Sequence, residues 1–310
     1  DLVVAKEMIN FVPGIVPGIG MAMNCFTQKG DKVMIQPPVY HPFAWVTTRN
    51  ERTLVTNPLK WENGMYRMDL DTFREQIKGC KLFILCNPHN PGGVVWTEAE
   101  LRAIADICYD EKVLVFSDEI HADLTLPPHT HRPFATVSEK ARMNSVTFMS
   151  PSKAFNMPGL SASHALIFNE DLRKRFRIYM DAGELDMGHV FAFLSVEAAY
   201  SHGTEWLDQC LAYIQGNIDF VDDFLKNHAP KIKAIRPEAS YLVWLDCREL
   251  KLSQKDLNEF FVDKAHLALN DGEMFGKEGI GFMRLNVASP RCIIEKAMKQ
   301  LADAYQLYIK

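Results

Sequence analysis

Residues 113–121 read Val113-Leu-Val-Phe-Ser-Asp118-Glu-Ile-His121. An apolar run without alternation stops abruptly on a carboxylate. A strand covered on both faces has this pattern, because neither face needs polar residues. Two other stretches repeat the plan. Lys81–Cys86 leads into Asn87-Pro-His-Asn90-Pro-Gly-Gly93, and Ser145–Met149 leads into Ser150-Pro-Ser-Lys153. Val33–Ile35 reads as a further strand upstream. The capping box Thr97-Glu-Ala-Glu100 opens a helix that runs to about Glu111. Strands and helices in alternation predict an α/β fold, a large domain with a mainly parallel mixed sheet flanked by helices.

Beyond this region the pattern changes. A long helical stretch covers about Thr204 to Asn227, and Pro230 and Pro237 punctuate the residues after it. Strand Tyr241–Asp246, helix Ser253–Phe261, strand Gly281–Val287 and a helix from about Cys292 to Tyr305 complete the chain. The expected division is a large domain over 1–203, an interdomain helix over 204–227 and a smaller C-terminal α/β domain over 228–310. A length of 310 residues fits two domains at ~150 residues each. The chain opens on Asp1 rather than Met, and residues 1–11 read like the middle of a domain, so a preceding N-terminal segment is expected to be absent.

Composition narrows the function. Apolar residues are 47%, charged residues 24% and the net charge is −5, which gives no electrostatic attraction to nucleic acid or an anionic membrane. No apolar run reaches the ~18 residues of a membrane span. The seven cysteines are scattered, with no C-x-x-C pair, and read as reduced core residues of a cytoplasmic protein. His129-Thr-His131 has metal-like spacing but no third ligand in reach of the pattern, and no metal is expected.

The polar residues after the strands carry the chemistry. Ligands of open parallel sheets bind outside the carboxyl ends of the strands. Here three strands deliver Asn90, Asp118 and Lys153 to that edge. A glycine-rich turn, Pro13-Gly-Ile-Val-Pro-Gly-Ile-Gly20, precedes an apolar helix to about Phe26 in which Met21, Met23 and Cys25 read as core. Free N–H groups at a helix start can hold a phosphate. Lysine, aspartate and phosphate loop together point to pyridoxal 5'-phosphate. Lys153 would form the Schiff base and Asp118 would keep the pyridine nitrogen protonated. Asn90 would bond the phenolic oxygen, and Tyr40 would stack on the ring for ~0.5–1.5 kcal/mol.

The segments "PPVYHPF", "CNPHNPGGVVW", "SDEIHADL", "SPSKAFNMPGL" and "MRLNVASPR", taken together, resemble the fold-type I pyridoxal-phosphate enzymes of the aspartate aminotransferase superfamily. The resemblance is greatest to the carbon–sulfur β-lyases of MalY/PatB type, the cystathionine β-lyases. It implies that Lys153 is the Schiff-base lysine and proton shuttle and that Asp118 pairs with the pyridine nitrogen. It places Asn90 and His121 near the phenolic oxygen and Tyr40 on the ring. Ser150 and Ser152, with the backbone of Gly14, Ile15 and Val16, would hold the phosphate, and Arg284 the substrate carboxylate in a two-pronged contact. Many aminotransferases carry Arg at the position of Ser161 and Tyr at that of His121; both changes resemble the lyase branch. The implied activity is β-elimination from cystathionine or cysteine to pyruvate, ammonia and a thiol. An aminotransferase and a non-catalytic pyridoxal-phosphate-binding regulatory protein are the alternatives. A homodimer with a shared active site is the family expectation, in which the N-terminal segment covers the substrate pocket.

Overall fold

The computed structural model describes residues 3–308. The chain runs through β1 (Ile9–Val12), α1 (Ile15–Phe26), β2 (Lys32–Ile35), α2 (Pro42–Arg49) and β3 (Thr53–Thr56). A hairpin of β4 (Lys60–Glu62) and β5 (Met65–Arg67) precedes α3 (Leu70–Gln76), β6 (Cys80–Cys86), α4 (Glu98–Asp110) and β7 (Leu114–Asp118). Next come α5 (Glu139–Met143), β8 (Ser145–Met149), β9 (Ser163–Leu166), α6 (Glu170–Asp181), α7 (Val190–His202) and α8 (Thr204–His228). The remainder is β10 (Lys233–Ile235), β11 (Leu242–Asp246), α9 (Gln254–Glu259), β12 (Asn270–Asp271), β13 (Phe282–Asn286) and α10 (Arg291–Tyr308).

Seven strands form one mixed sheet in the order β1-β9-β8-β7-β6-β2-β3. β3, β2, β6, β7 and β8 pair parallel, and β9 is antiparallel to both β8 and β1. Strand periodicity sends neighbours to opposite faces. Leu82, Ile84, Phe116 and Phe148 pack with Ile19, Met23, Phe43 and Phe176 of α1, α2 and α6. Phe83, Leu85 and Val115 pack with Phe73, Leu101 and Ile104 of α3 and α4 on the other face. Both faces are covered, which is why these strands do not alternate in sequence. Gly18 lets α1 approach this closely, since a Cβ there would stand 2.8 Å from Val12 Cγ2. The capping box at the head of α4 forms as expected, with Thr97 Oγ1 accepting from Glu100 N.

A second sheet, antiparallel throughout, has the order β10-β11-β13-β12. One face carries Val243, Leu245, Met283 and Leu285 against Ile218, Val221 and Leu225 of α8 and Ile294, Met298 and Leu301 of α10. Its other face joins the first core. Trp244 stacks on Phe282 at 5.2 Å and 9°, and Trp244 Nε1 donates to Tyr66 Oη at 3.2 Å. The helix expected over Ser253–Phe261 instead widens at Phe260 into a π turn ending at Lys264. The cysteines correct one expectation. Cys80, Cys86, Cys108 and Cys247 are buried, but Cys292 is exposed in the first turn of α10 and is no core residue. Among the described residues no helix is long and apolar enough to cross a membrane.

Candidate active site

The strand ends are held level by hydrogen bonds that continue past the strands. Asn87 N donates to Asp118 O and Glu119 N donates to Phe148 O, both at 2.9 Å. A cavity of about 370 Å³ opens there, walled by the ends of β6, β7 and β8, the start of α1, Tyr241 just ahead of β11, and Arg284 of β13. Of the site residues expected from sequence, all but Ser150 line it.

Asp118 ends β7 and is 4% exposed; its Oδ1 accepts from Ile120 N at 3.1 Å. Burial pushes its carboxyl up to about 7; the bond from Ile120 opposes this, Glu119 adds to the rise and Lys153 opposes it. Lys153 sits half-buried in the turn after β8. Ser150 is buried beneath that turn: its Oγ donates to Ala162 O at 2.7 Å and accepts from Ser152 N at 3.1 Å. This hydroxyl shapes the turn that presents Ser152 and Lys153.

Arg284, on β13, points across the cavity mouth. Its Nη1 donates to Asn90 Oδ1 at 2.9 Å and its Nη2 to Asn270 Oδ1 at 2.7 Å. The guanidinium lies 4.6 Å from the centre of the Phe275 ring. Among the described residues Nε has no partner, so the fork is oriented and still has donors to offer. Burial lowers its pKa to about 10. His121 is buried with Nδ1 unpartnered. Burial, followed by the charges of Lys153 and Arg284, pushes it down to about 3, so it stands neutral. Tyr40 leans edge-on against Phe43, ring centres 5.7 Å apart.

The first turn of α1 closes the cavity. Its N-cap is Gly14, at φ 144°, and no side chain caps the helix. The leading N–H groups, beginning with Ile15 and Val16, therefore face the cavity wall unsatisfied by the helix itself. Ser152, Ser161 and Ser163 line the same cavity. His129 and His131 each face a carboxylate of their own, Glu238 at 3.7 Å and Glu119 at 2.8 Å.

The aminotransferase class I and II family model matches residues 2–301. The chain belongs to this family. Cystathionine beta-lyase PatB of Bacillus subtilis (strain 168) is 39% identical, covering 97% of this chain and 78% of PatB. Cystalysin from Treponema denticola, whose crystal structure contains pyridoxal 5'-phosphate, superposes with a TM-score of 0.96 at 35% identity, over 99% of this chain and 78% of its own. A pyridoxal-phosphate-bound C–S lyase from Staphylococcus hominis gives 0.90 at 32% identity, over 98% and 78%.

Sequence reasoning missed Tyr241, Asn270, Phe275 and Asn286. Tyr241 precedes a strand, where the rule about carboxyl ends gives no signal. Asn270 reaches the site only as the cross-strand partner of Arg284, a register no motif reveals.

Proposed function

We propose that this chain is a pyridoxal-phosphate-dependent carbon–sulfur β-lyase, cleaving cystathionine or cysteine-type amino acids to pyruvate, ammonia and a thiol. The observation that carries this reading is the convergence of an amine, a buried carboxylate and a guanidinium on one cavity. Lyase relatives of high coverage support it. The residues fit the cofactor. A helix start and three serines suit a phosphate, Asp118 suits a ring cation, and the orphaned Nδ1 of His121 awaits a polar partner.

Pyridoxal phosphate, when bound, supplies an electron sink for the pair left by the α-proton. Asp118 would hold the ring nitrogen's proton, and its high pKa makes it a strong acceptor for that purpose. Asn90 and His121 would meet the phenolic oxygen, and Tyr40 would cover a ring face. Lys153 Nζ would take the α-proton from substrate, as general base, and return it later. Arg284, already aligned by Asn90 and Asn270, would clamp the α-carboxylate, and this orients the Cα–H bond toward Lys153.

The partner is a small amino acid. A homodimer is supported by the uncovered apolar residues of α7, and a cytoplasmic setting by seven free cysteines. Residues 1–203 and 228–310 would be the two domains, joined by 204–227. The deciding experiment incubates the cofactor-loaded protein with cystathionine. Pyruvate and homocysteine released without any keto acid acceptor support the lyase, with Lys153→Ala abolishing both. Keto acid formed only after an acceptor is added makes the chain an aminotransferase, and no turnover of either kind leaves a non-catalytic binder.

A further inference from the structure

Phe275 stands behind the cavity and touches two of its walls. It is 2% exposed and lines no part of the cavity itself. On one side its ring lies under Arg284, with the guanidinium carbon 4.6 Å from the ring centre. On the other, its carbonyl accepts from Val39 N at 2.9 Å, one residue before Tyr40. Its ring also meets that of His41, one residue after Tyr40, edge-on at 5.8 Å. The next residue packs as closely, since a Cβ on Gly276 would stand 2.8 Å from Pro37 Cβ. Resting on the reading that Arg284 grips the substrate carboxylate and Tyr40 covers the cofactor ring, we propose that Phe275 is a positioning residue, whose ring sets the plane of the Arg284 guanidinium and whose carbonyl fixes that plane relative to the segment carrying Tyr40.

The hydrogen bonds of the guanidinium leave one freedom open. Asn90 Oδ1 and Asn270 Oδ1 each hold one terminal nitrogen, at 2.9 and 2.7 Å, and so fix where the ends of the fork lie. The fork can still tilt about the line that joins those ends. A flat ring beneath it opposes the tilt, because a guanidinium stacks on an aromatic face and loses that contact as it turns. Tilt matters to the substrate, since two parallel N–H bonds reach a carboxylate only in the guanidinium's own plane. The loop that presents Phe275 is itself firmly held. Asp271 Oδ1 accepts from Gln254 Nε2 at 2.6 Å and its Oδ2 from Asn258 Nδ2 at 2.5 Å, while Gln254 Oε1 accepts from Gly281 N at 2.7 Å. Trp244 of β11 meets the Phe275 ring edge-on at 5.4 Å. One side chain thus ties the carboxylate grip on the second sheet to the residues that flank Tyr40.

The test centres on Phe275→Leu, which keeps the carbonyl and most of the volume but offers no flat face. In the cofactor-free protein the Arg284 Nε–H proton resonance, assigned through Arg284→Lys, is expected upfield because an aromatic face lies beneath it, and should move downfield in Phe275→Leu. The pyridoxal-phosphate-loaded protein is then titrated, by cofactor absorbance, with L-alanine and with ethylamine, the same amine without a carboxylate. Phe275→Leu should weaken L-alanine binding by about tenfold, the size of a partly desolvated cation–aromatic contact. Ethylamine binding should stay unchanged, whereas general loosening of the fold would weaken both ligands alike. At saturating L-alanine, exchange of its α-proton into heavy water should also slow, because a tilted carboxylate turns Cα–H away from Lys153. Phe275→Tyr retains the face and should restore all three readouts. Should Phe275→Leu fail to fold, Phe275→Met decides in its place. An unmoved Arg284 resonance, or equal weakening of L-alanine and ethylamine, overturns the proposal. The cofactor-free resonance stands apart from the lyase reading, which fails separately if the loaded protein does not turn over cystathionine.

Discussion

At the residue scale, Asp118 sets function against stability. In the cofactor-free protein its carboxyl titrates near 7 because it is buried, against an ordinary 3.8. The folded state thus holds this proton more tightly than the unfolded chain. The resulting stability is complete below about pH 4 and is lost as pH rises to about 7. Asp118→Asn should therefore stabilise the cofactor-free protein by roughly 2–4 kcal/mol at pH 8 and hardly at all at pH 4, measured by urea unfolding. The same variant should retain pyridoxal phosphate more weakly, because the proposed partner of the ring cation is gone. Arg284 gives the second expectation at this scale. Lysine keeps the charge but not the planar fork, so it cannot hold Asn90 and Asn270 and also grip a carboxylate. Arg284→Lys should lower kcat/KM on cystathionine at least ~100-fold, equivalent to ~2.7 kcal/mol. Lys153, Asp118 and Asn90 were legible in the sequence because each follows a buried strand at the edge where ligands bind. The engagement of Arg284 with Asn270 was not, since it depends on pairing between strands far apart in the chain.

Among the elements, α1 shows how a helix start becomes a site. Gly14 takes φ 144°, a region that residues with a Cβ avoid. A Cβ there would also stand 3.3 Å from Pro17 Cδ, inside the first turn. Gly14→Ala should cost about 1–3 kcal/mol of stability, seen as a lower Tm. It should also weaken pyridoxal-phosphate binding more than pyridoxal binding in fluorescence titrations, because the strained turn stands where the phosphate is proposed to sit. Equal weakening of both would place the phosphate elsewhere. The central strands were legible for a simple reason: β2, β6, β7 and β8 are covered on both faces, so their apolar runs stand out. β1, β3 and β9 did not stand out. Each is four residues long, too short to show a period, and β1 and β3 lie at the sheet edges. β9 runs antiparallel to β8, and the residues 150–162 between them hold turns, one short 3-10 helix at Pro158–Leu160 and no α-helix of the kind that usually makes a parallel crossover.

For the whole molecule, the division into two sheets was visible as a change of rhythm near Thr204, but the shared core was not. Trp244 and Phe282 alternate with residues facing α8 and α10, and only the fold shows that their face meets Tyr66. Among the described residues α7 carries an uncovered apolar surface. Helix α7 exposes Val190, Phe191, Phe193 and Leu194, at 66%, 71%, 49% and 56%. Trp206 and Tyr213 of α8 are about half exposed as well. An apolar group of this size on a water-facing helix signals an interface. A second copy of the chain is the occupant consistent with the family expectation of a dimer. Phe191 and Leu194 are three residues apart, so they stand on one side of the helix. Placing a carboxylate on each would bury two unpaired charges in that interface, and loss of one buried anchor already costs ~2 kcal/mol or more. Phe191→Asp/Leu194→Asp should therefore convert a dimer to a monomer at micromolar concentration in light scattering, weakening association by at least ~100-fold. The far-UV spectrum should stay unchanged, because both side chains face solvent in the single chain. A wild-type protein already monomeric at that concentration would remove the dimer, and with it the shared site.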